Sequence, residues 1–258
     1  MNQIITLNIR QFALIYLLLI IVLLVMKKCR INQTRLLIVA SIRMTVQLVL
    51  AGLILTYIFE HPYPVFTVSY IFIMTGFAVY MVLHRNPTIN KKFKLIVSAS
   101  LAVSGITIVC FFIMAVVRVN IFNPQYTIPI SGMIIGNAMT GVSLGLKTFD
   151  ENIKSQRMKI DALINMGVTP RKILTPLVNQ ALETALLPTL NSMLGMGVIS
   201  LPGMMTGQIL SGTLPTTAIL YQIAILIAIT AVTCLAVFSS LFFGHRTLYN
   251  KRNQMMIY

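Results

Sequence analysis

The 258-residue chain has no tryptophan, three cysteines, three histidines and only five Asp and Glu, and only 10% of its residues are charged. Each scarcity excludes something. Cys29, Cys110 and Cys234 are odd in number, far apart and set in or beside apolar runs, so the chain has neither a disulfide framework nor a zinc site. They are expected to be packing residues. His61, His84 and His245 stand singly at the ends of apolar runs, which gives a histidine-based metal or proton site no support. With so few acids and no HExxH-like pattern, a membrane-embedded enzyme lacks a catalytic constellation. No catalytic residue and no cofactor is expected.

What the chain does have is apolar mass, at 57% of residues, and an excess of base, 20 Lys and Arg giving a formal net charge of +15. Ordinary soluble domains are about a quarter charged. A single core cannot bury so much apolar surface, so the remainder must face lipid. In a soluble chain a charge of +15 would suggest nucleic acid. Here the positions of the charges exclude that.

A transmembrane helix needs about 20 mostly apolar residues, and this rule marks seven candidate spans, at 11–26, 36–59, 63–83, 95–117, 128–146, 177–199 and 214–243. The first is expected to be a retained helix and not a signal peptide, because no small-residue cleavage site follows it and Lys27, Lys28 and Arg30 act as a stop. Basic residues then fall in alternate connections. Lys27, Lys28, Arg30 and Arg35 follow span one, and Arg85, Lys91, Lys92 and Lys94 follow span three. Lys147, Lys154, Arg157, Lys159, Arg171 and Lys172 follow span five, and Arg246, Lys251 and Arg252 follow span seven. Only Arg10, Arg43 and Arg118 stand outside this pattern. Short basic loops stay in the cytoplasm. The expectation is an all-α, polytopic, multi-pass protein of the cell membrane with seven helices, the N terminus outside and the C terminus inside.

The longest hydrophilic stretch, KTFDENIKSQRMKIDALINMGVTPRKILTP (147–176), has an amphipathic helical pattern in Met158, Ile160, Leu163, Ile164 and Met166. Gly167, Thr169 and Pro170 should end that helix. Such a segment under a bundle could dock a soluble partner or lie at the lipid headgroups.

Within the spans, Arg43 and Gln47 share a helix face at i and i+4. Arg43 lies on the order of 12 Å in from the cytoplasmic end, and Glu183 of span six at ~10 Å, by the rise of 1.5 Å per residue. They could pair or share a polar vestibule, or each could snorkel to the inner interface. Gln180, Glu183, Thr184, Pro188, Asn191 and Gly195 form a polar and small stripe on span six. Such a face either lines a conduit or holds helices together. Span five carries Gly132 with Gly136, and Gly141 with Gly145, spacings suited to close helix packing, with Asn137 as a pathway candidate. Its glycines do not make a phosphate loop, because Val142 stands where the lysine must be.

SLPGMMTGQILSGTLP (200–215) is uncharged, too apolar for a free loop and too broken for a span, which suggests a re-entrant or surface-lying gate at 200–214. Met204, Met205 and Gln208 sit there, with Met193 and Met196 just before. Thioethers favour soft cations, although flexible packing is the commoner use of methionine.

The stretches RMTVQLVLAGLIL, PISGMIIGNAMTG and ALLPTLNSMLGMGVISLPGMMTGQILSG resemble the FetB-type permeases, ABC transporter membrane subunits implicated in iron export and related to plant aluminium-tolerance permeases. The resemblance runs over nearly the whole chain and implies one permease domain over 1–258. DALINMGVTPRKIL is similar to the coupling motif of ABC permeases: Asp161, Ala162 and Gly167 match it, with Pro170 following, while Asp161 replaces the usual Glu and Leu163 a common Ala. The resemblance implies a separate ATP-binding subunit, a homodimer of the permease in membrane lipid, and a metal cation as substrate. It assigns no ligand set. By position, Pro188, Asn191, Pro202, Gly203, Met204, Thr206, Gly207 and Gln208 fall in the family's strongest block, and Arg43 with Gln47 in its second-helix motif. Glu183 is not carried over. The alternative is an ion-driven secondary transporter of a small cation, with Glu183 and Arg43 as a relay, although the internal repeats usual in such folds are absent.

Overall fold

The computed structural model describes residues 9–87 and 89–249, which are helical almost throughout. The helices are α1 (Ile9–Lys28), α2 (Thr34–Glu60), α3 (Pro64–Arg85), α4 (Lys91–Phe111), α5 (Pro124–Ser155), α6 (Arg157–Asn165), α7 (Pro170–Gly195), α8 (Gly203–Leu210) and α9 (Pro215–Gly244). Met1 to Asn8 and the end of the chain, where Lys251 and Arg252 fall, lie outside the described residues.

Proline opens four of these helices, at the first position of α3, α5, α7 and α9, where its missing N–H is not needed. Asparagine caps two of them: the Asn90 carboxamide accepts from Phe93 N–H at 2.7 Å, and Asn123 from Gln125 N–H at 3.1 Å. α4 does not stop at Phe111 but widens into a six-residue π turn, Phe112–Val117, which ends on Arg118 at φ 56°.

Among the described residues, five segments are long and apolar enough to cross a membrane: Thr34–Glu60, Pro64–Arg85, Lys91–Val117, Pro124–Ser155 and Pro215–Leu248. α7 is 26 residues long, but its polar residues and internal Pro176 and Pro188 dilute its apolarity. The chain is therefore a multi-pass helical membrane protein.

The chain divides into two compact units. The first contains α1 and α2, which pack on each other; Tyr16 and Thr45 hydroxyls meet at 2.6 Å. On α2 only Ile58 is buried, and Leu36, Leu48 and Leu53 are among many exposed apolar side chains. Such a face suits lipid.

In the second unit, α5 is central, touching α3, α4, α7 and α9. Its buried Ile134, Ile135, Ala138, Val142 and Leu146 meet Leu101 of α4, Ala181 of α7 and Val232 and Ala236 of α9 in one apolar core. The two glycine pairs of α5 differ in use. A methyl group on Gly141 would fall 2.4 Å from Thr233 Cγ2, and one on Gly145 would fall 2.9 Å from Val237 Cγ1, both on α9. On Gly136 a methyl group would meet nothing within 4 Å. Gly141 and Gly145 let α5 and α9 approach closely, and Gly136 lies on a face that its own unit leaves open.

The 147–176 stretch is more helical than its charge suggests. α5 continues through it to Ser155, with Lys147 paired to Glu151 and Lys154 to Asp150 at i,i+4. α6 follows, and ends in a Schellman turn: Val168 N–H bonds Leu163 C=O at 3.0 Å and Gly167 N–H bonds Ile164 C=O at 2.9 Å. Gly167, at φ +80°, supplies the left-handed residue that this turn requires. The sixth expected span begins earlier and ends earlier than its apolar run indicates, at Pro170 and Gly195, because Pro170 starts the helix and Gly197 at φ +85° turns the chain.

Candidate transport pathway

α5 and α7 lie side by side, and Asn152 Nδ2 donates to Gln180 Oε1 between them at 3.2 Å. α7 buries Leu174, Leu177, Val178, Ala181 and Ala185 against the core, which turns its other face outward. That outward face carries Gln180, Glu183, Pro188 and Asn191, with Thr184 and Gly195 half-buried at its edge. On α5 the corresponding open face carries Asn137 and Thr140.

Several of these groups satisfy themselves locally. Asn137 Nδ2 donates to Met133 C=O at 2.7 Å, Thr140 to Gly136 C=O at 3.0 Å, Thr184 to Gln180 C=O at 2.9 Å and Ser192 to Pro188 C=O at 2.9 Å. Hydroxyl groups bonded back to i−4 carbonyls cost little in an apolar surrounding. The Glu183 carboxylate has no ion-pair partner among the described residues.

Arg43 and Gln47 are exposed on α2, in the first unit, while Glu183 belongs to the second. Their expected depths rest on chain position.

The stretch between α7 and α9 folds into the short helix α8 bounded by turns, with Thr206 Oγ1 donating to Pro202 C=O at 3.1 Å. Met193 and Met205 both line a cavity of about 500 Å³. Met204 packs instead against the core, and Gln208 is half-buried on α8. Met196, named from sequence with the other methionines of this region, lines the cavity too, and so does Gln222, a polar residue not singled out from sequence. Gln222 lies in the apolar run of α9, and its isolation there was the available signal.

At the other end of α7, Ile160 of α6 is buried, with Leu163 and Ile164 half-buried against the core. Ile160, Leu163 and Ile164 of α6 thus pack on protein, while Met158 and Met166 of the same apolar pattern stay exposed. The outer side of α6 presents Asp161 and Ala162 between Met158, 88% exposed, and Met166, 78% exposed. Among the described residues no three of His, Cys, Asp and Glu gather into a metal site.

A multi-pass helical bundle with a polar face on one apolar helix is an architecture that membrane permeases use. Residues 9–249 match the profile of UPF0014, described as an uncharacterised protein family, and the chain belongs to that family. It is 34% identical over 225 residues to the UPF0014 membrane protein YjkA of Bacillus subtilis, covering 84% of this chain and 88% of that one. It is 30% identical over 218 residues to the probable iron export permease protein FetB of Escherichia coli, covering 83% and 82%. The protein ALUMINUM SENSITIVE 3 of Arabidopsis thaliana is 33% identical over 157 residues, 61% of this chain and 58% of that one. No solved structure gives a significant match.

Proposed function

We propose that the chain is the permease subunit of an ATP-driven ABC transporter that exports iron or another metal cation, working as a homodimer with two separate ATP-binding subunits. The observation that carries this reading is the uncovered polar face of α7, with Glu183 and Asn191 exposed on a helix otherwise packed by apolar residues. A charged group at the centre of a bilayer costs at least about 2.5–3.5 kcal/mol. The face must therefore be covered by protein or water, and a second copy supplies both a partner surface and a path between the copies. The open face at Gly136 on the neighbouring helix suits the same contact.

The whole chain acts as one permease domain of seven spans, α1 to α5, α7 and α9, with the N terminus outside and the basic loops inside. Arg43, Gln47, Asn137, Glu183, Pro188 and Asn191 line or border the path, and α8 with its flanking turns gates its outer end near Met193, Met204, Met205 and Gln208. On the inside, α6 receives motion from the ATPase through Asp161 and Ala162, and the Gly167 turn with Pro170 transmits it to α7. The name of the Escherichia coli relative supports a metal cation as cargo.

The test is co-reconstitution with the ATP-binding subunit in liposomes. Ferrous iron should stimulate ATP hydrolysis and be moved only when ATP is present. Gly167→Val, which forces a β-branched residue to φ +80°, should leave insertion and hydrolysis intact but separate hydrolysis from transport. Gly167→Asn, which tolerates that backbone, should keep them coupled. Transport that followed an imposed ion gradient without ATP would instead establish the secondary-transporter alternative.

A further inference from the structure

We propose that the cavity bounded by the end of α7, the turn after it, α8 and the first half of α9 is a binding site for a soft monovalent cation of the copper(I) or silver(I) kind. This goes beyond the permease reading, and it holds whether the ion is carried or only held.

The cavity has a volume of about 500 Å³, and three of its lining side chains are thioethers, Met193, Met196 and Met205. They come from three different elements: α7, the turn after it, and α8. They therefore do not form a stripe along one helix, and the fold has gathered them. The sulfur lone pairs are largely uncommitted. Thr230 Oγ1 lies 3.4 Å from Met193 Sδ, but it lies only 2.8 Å from Leu226 C=O, and its single proton goes to the shorter bond. Gln222 Nε2 stands 3.9 Å from Met196 Sδ, at the outer limit for a bond to sulfur.

Gln222 is the second, independent sign. It also lines the cavity, it is only 8% exposed, and its Oε1 has no hydrogen-bond partner among the described residues. A buried carbonyl oxygen without a donor is unfavourable, and a cation satisfies it. Together these groups offer soft sulfur and one neutral oxygen.

Charge decides the ion. Among the residues lining the cavity there is no acid, histidine or cysteine. Desolvation cost rises with the square of ionic charge, so a neutral site favours a monovalent ion over a divalent one. Thioether ligands select copper(I) within that class, whereas ferrous iron is better served by imidazole and oxygen. Methionine's three rotatable bonds let the sulfurs converge on the ion without moving the helices.

The test uses the full chain with Cys29, Cys110 and Cys234 replaced by serine, so that no thiol competes for silver, purified in detergent with silver(I) as the probe, followed by titration calorimetry and metal analysis after gel filtration. One silver ion per chain is expected to bind and to survive a hundredfold excess of manganese(II), a divalent ion that, unlike ferrous iron, does not reduce silver(I). Met193→Leu, Met196→Leu and Met205→Leu keep the side-chain volume and should each weaken binding at least tenfold, and the triple variant should lose the ion. Met139→Leu, at a half-buried methionine packed on the core away from the cavity, should bind as the parent does. Unchanged helical circular dichroism in the triple variant establishes that it is folded. Retention of silver by that folded variant overturns the site, and displacement of silver by manganese(II) overturns the assigned ion class. Neither result bears on ATP coupling, which is tested separately with the reconstituted complex.

Discussion

Gly141→Ala adds one methyl group where α5 and α9 are closest, 2.4 Å from Thr233 Cγ2. Carbon atoms in favourable contact stand about 3.5–4.0 Å apart, so more than an ångström must be found by moving a backbone or turning Thr233. Thr233 is 1% exposed and β-branched, and the same added carbon would lie at 3.6 Å from Thr233 Cβ and Val237 Cγ2, leaving little room to shift. Overpacking of this kind costs about 1–3 kcal/mol. The 2.4 Å approach puts the cost in the upper part of that range, about 2–3 kcal/mol; alanine returns about 0.5–1 kcal/mol of helix propensity over glycine, leaving a net loss of about 1–2.5 kcal/mol. For a chain of this size that corresponds to a fall in melting temperature of about 2–10 °C.

Gly76→Ala is the matched control, since a methyl group there meets nothing within 4 Å, and it should be neutral or stabilising by about 0.5–1 kcal/mol. Thr233→Ser removes the colliding carbon, so Gly141→Ala combined with Thr233→Ser should recover about 1 kcal/mol or more of the loss, a coupling that a double-mutant cycle reads directly. Because the chain has no tryptophan, melting is followed by circular dichroism at 222 nm in detergent. A Gly141→Ala protein that melted at or above the parent temperature, or a double variant equal to the sum of the singles, would refute the close α5–α9 approach.

Two further outcomes bear on assembly and topology. With Cys29, Cys110 and Cys234 replaced by serine or alanine, Glu183→Cys and Asn191→Cys should form disulfide-linked dimers under mild oxidation. Leu95→Cys, on the apolar surface of α4 at 70% exposure, should not; equal cross-linking at all three positions would remove α7 from the dimer contact. Reporter fusions after Glu60 and after Ile160 should lie on opposite sides of the membrane, and the same side for both would overturn the seven-span arrangement.

The alternation of basic loops and the length of the apolar runs were enough to give a multi-pass helical protein, because lipid forces every spanning backbone into helices of bounded length. Helix starts were less legible: α4 and α5 begin at Lys91 and Pro124, four residues before the apolar runs at 95 and 128, because Asn90 and Asn123 cap them there. The polar residues of α7 could be placed on one helix face from spacing. Whether that face was open or buried could not, because spacing fixes a direction around an axis and says nothing about what stands opposite.

Tertiary structure decided the rest. It assigned Gly141 and Gly145 to the contact with α9 and left Gly136 open, although both pairs have the same spacing. It packed Ile160 of α6 on the core and left Met158 and Met166 exposed, although all three belong to one apolar pattern. And it brought Met193, Met196 and Met205 to one cavity with Gln222 while packing Met204 into the core. Local sequence determines which way a side chain leaves its own helix. Only the arrangement of the helices determines which side chains then face each other.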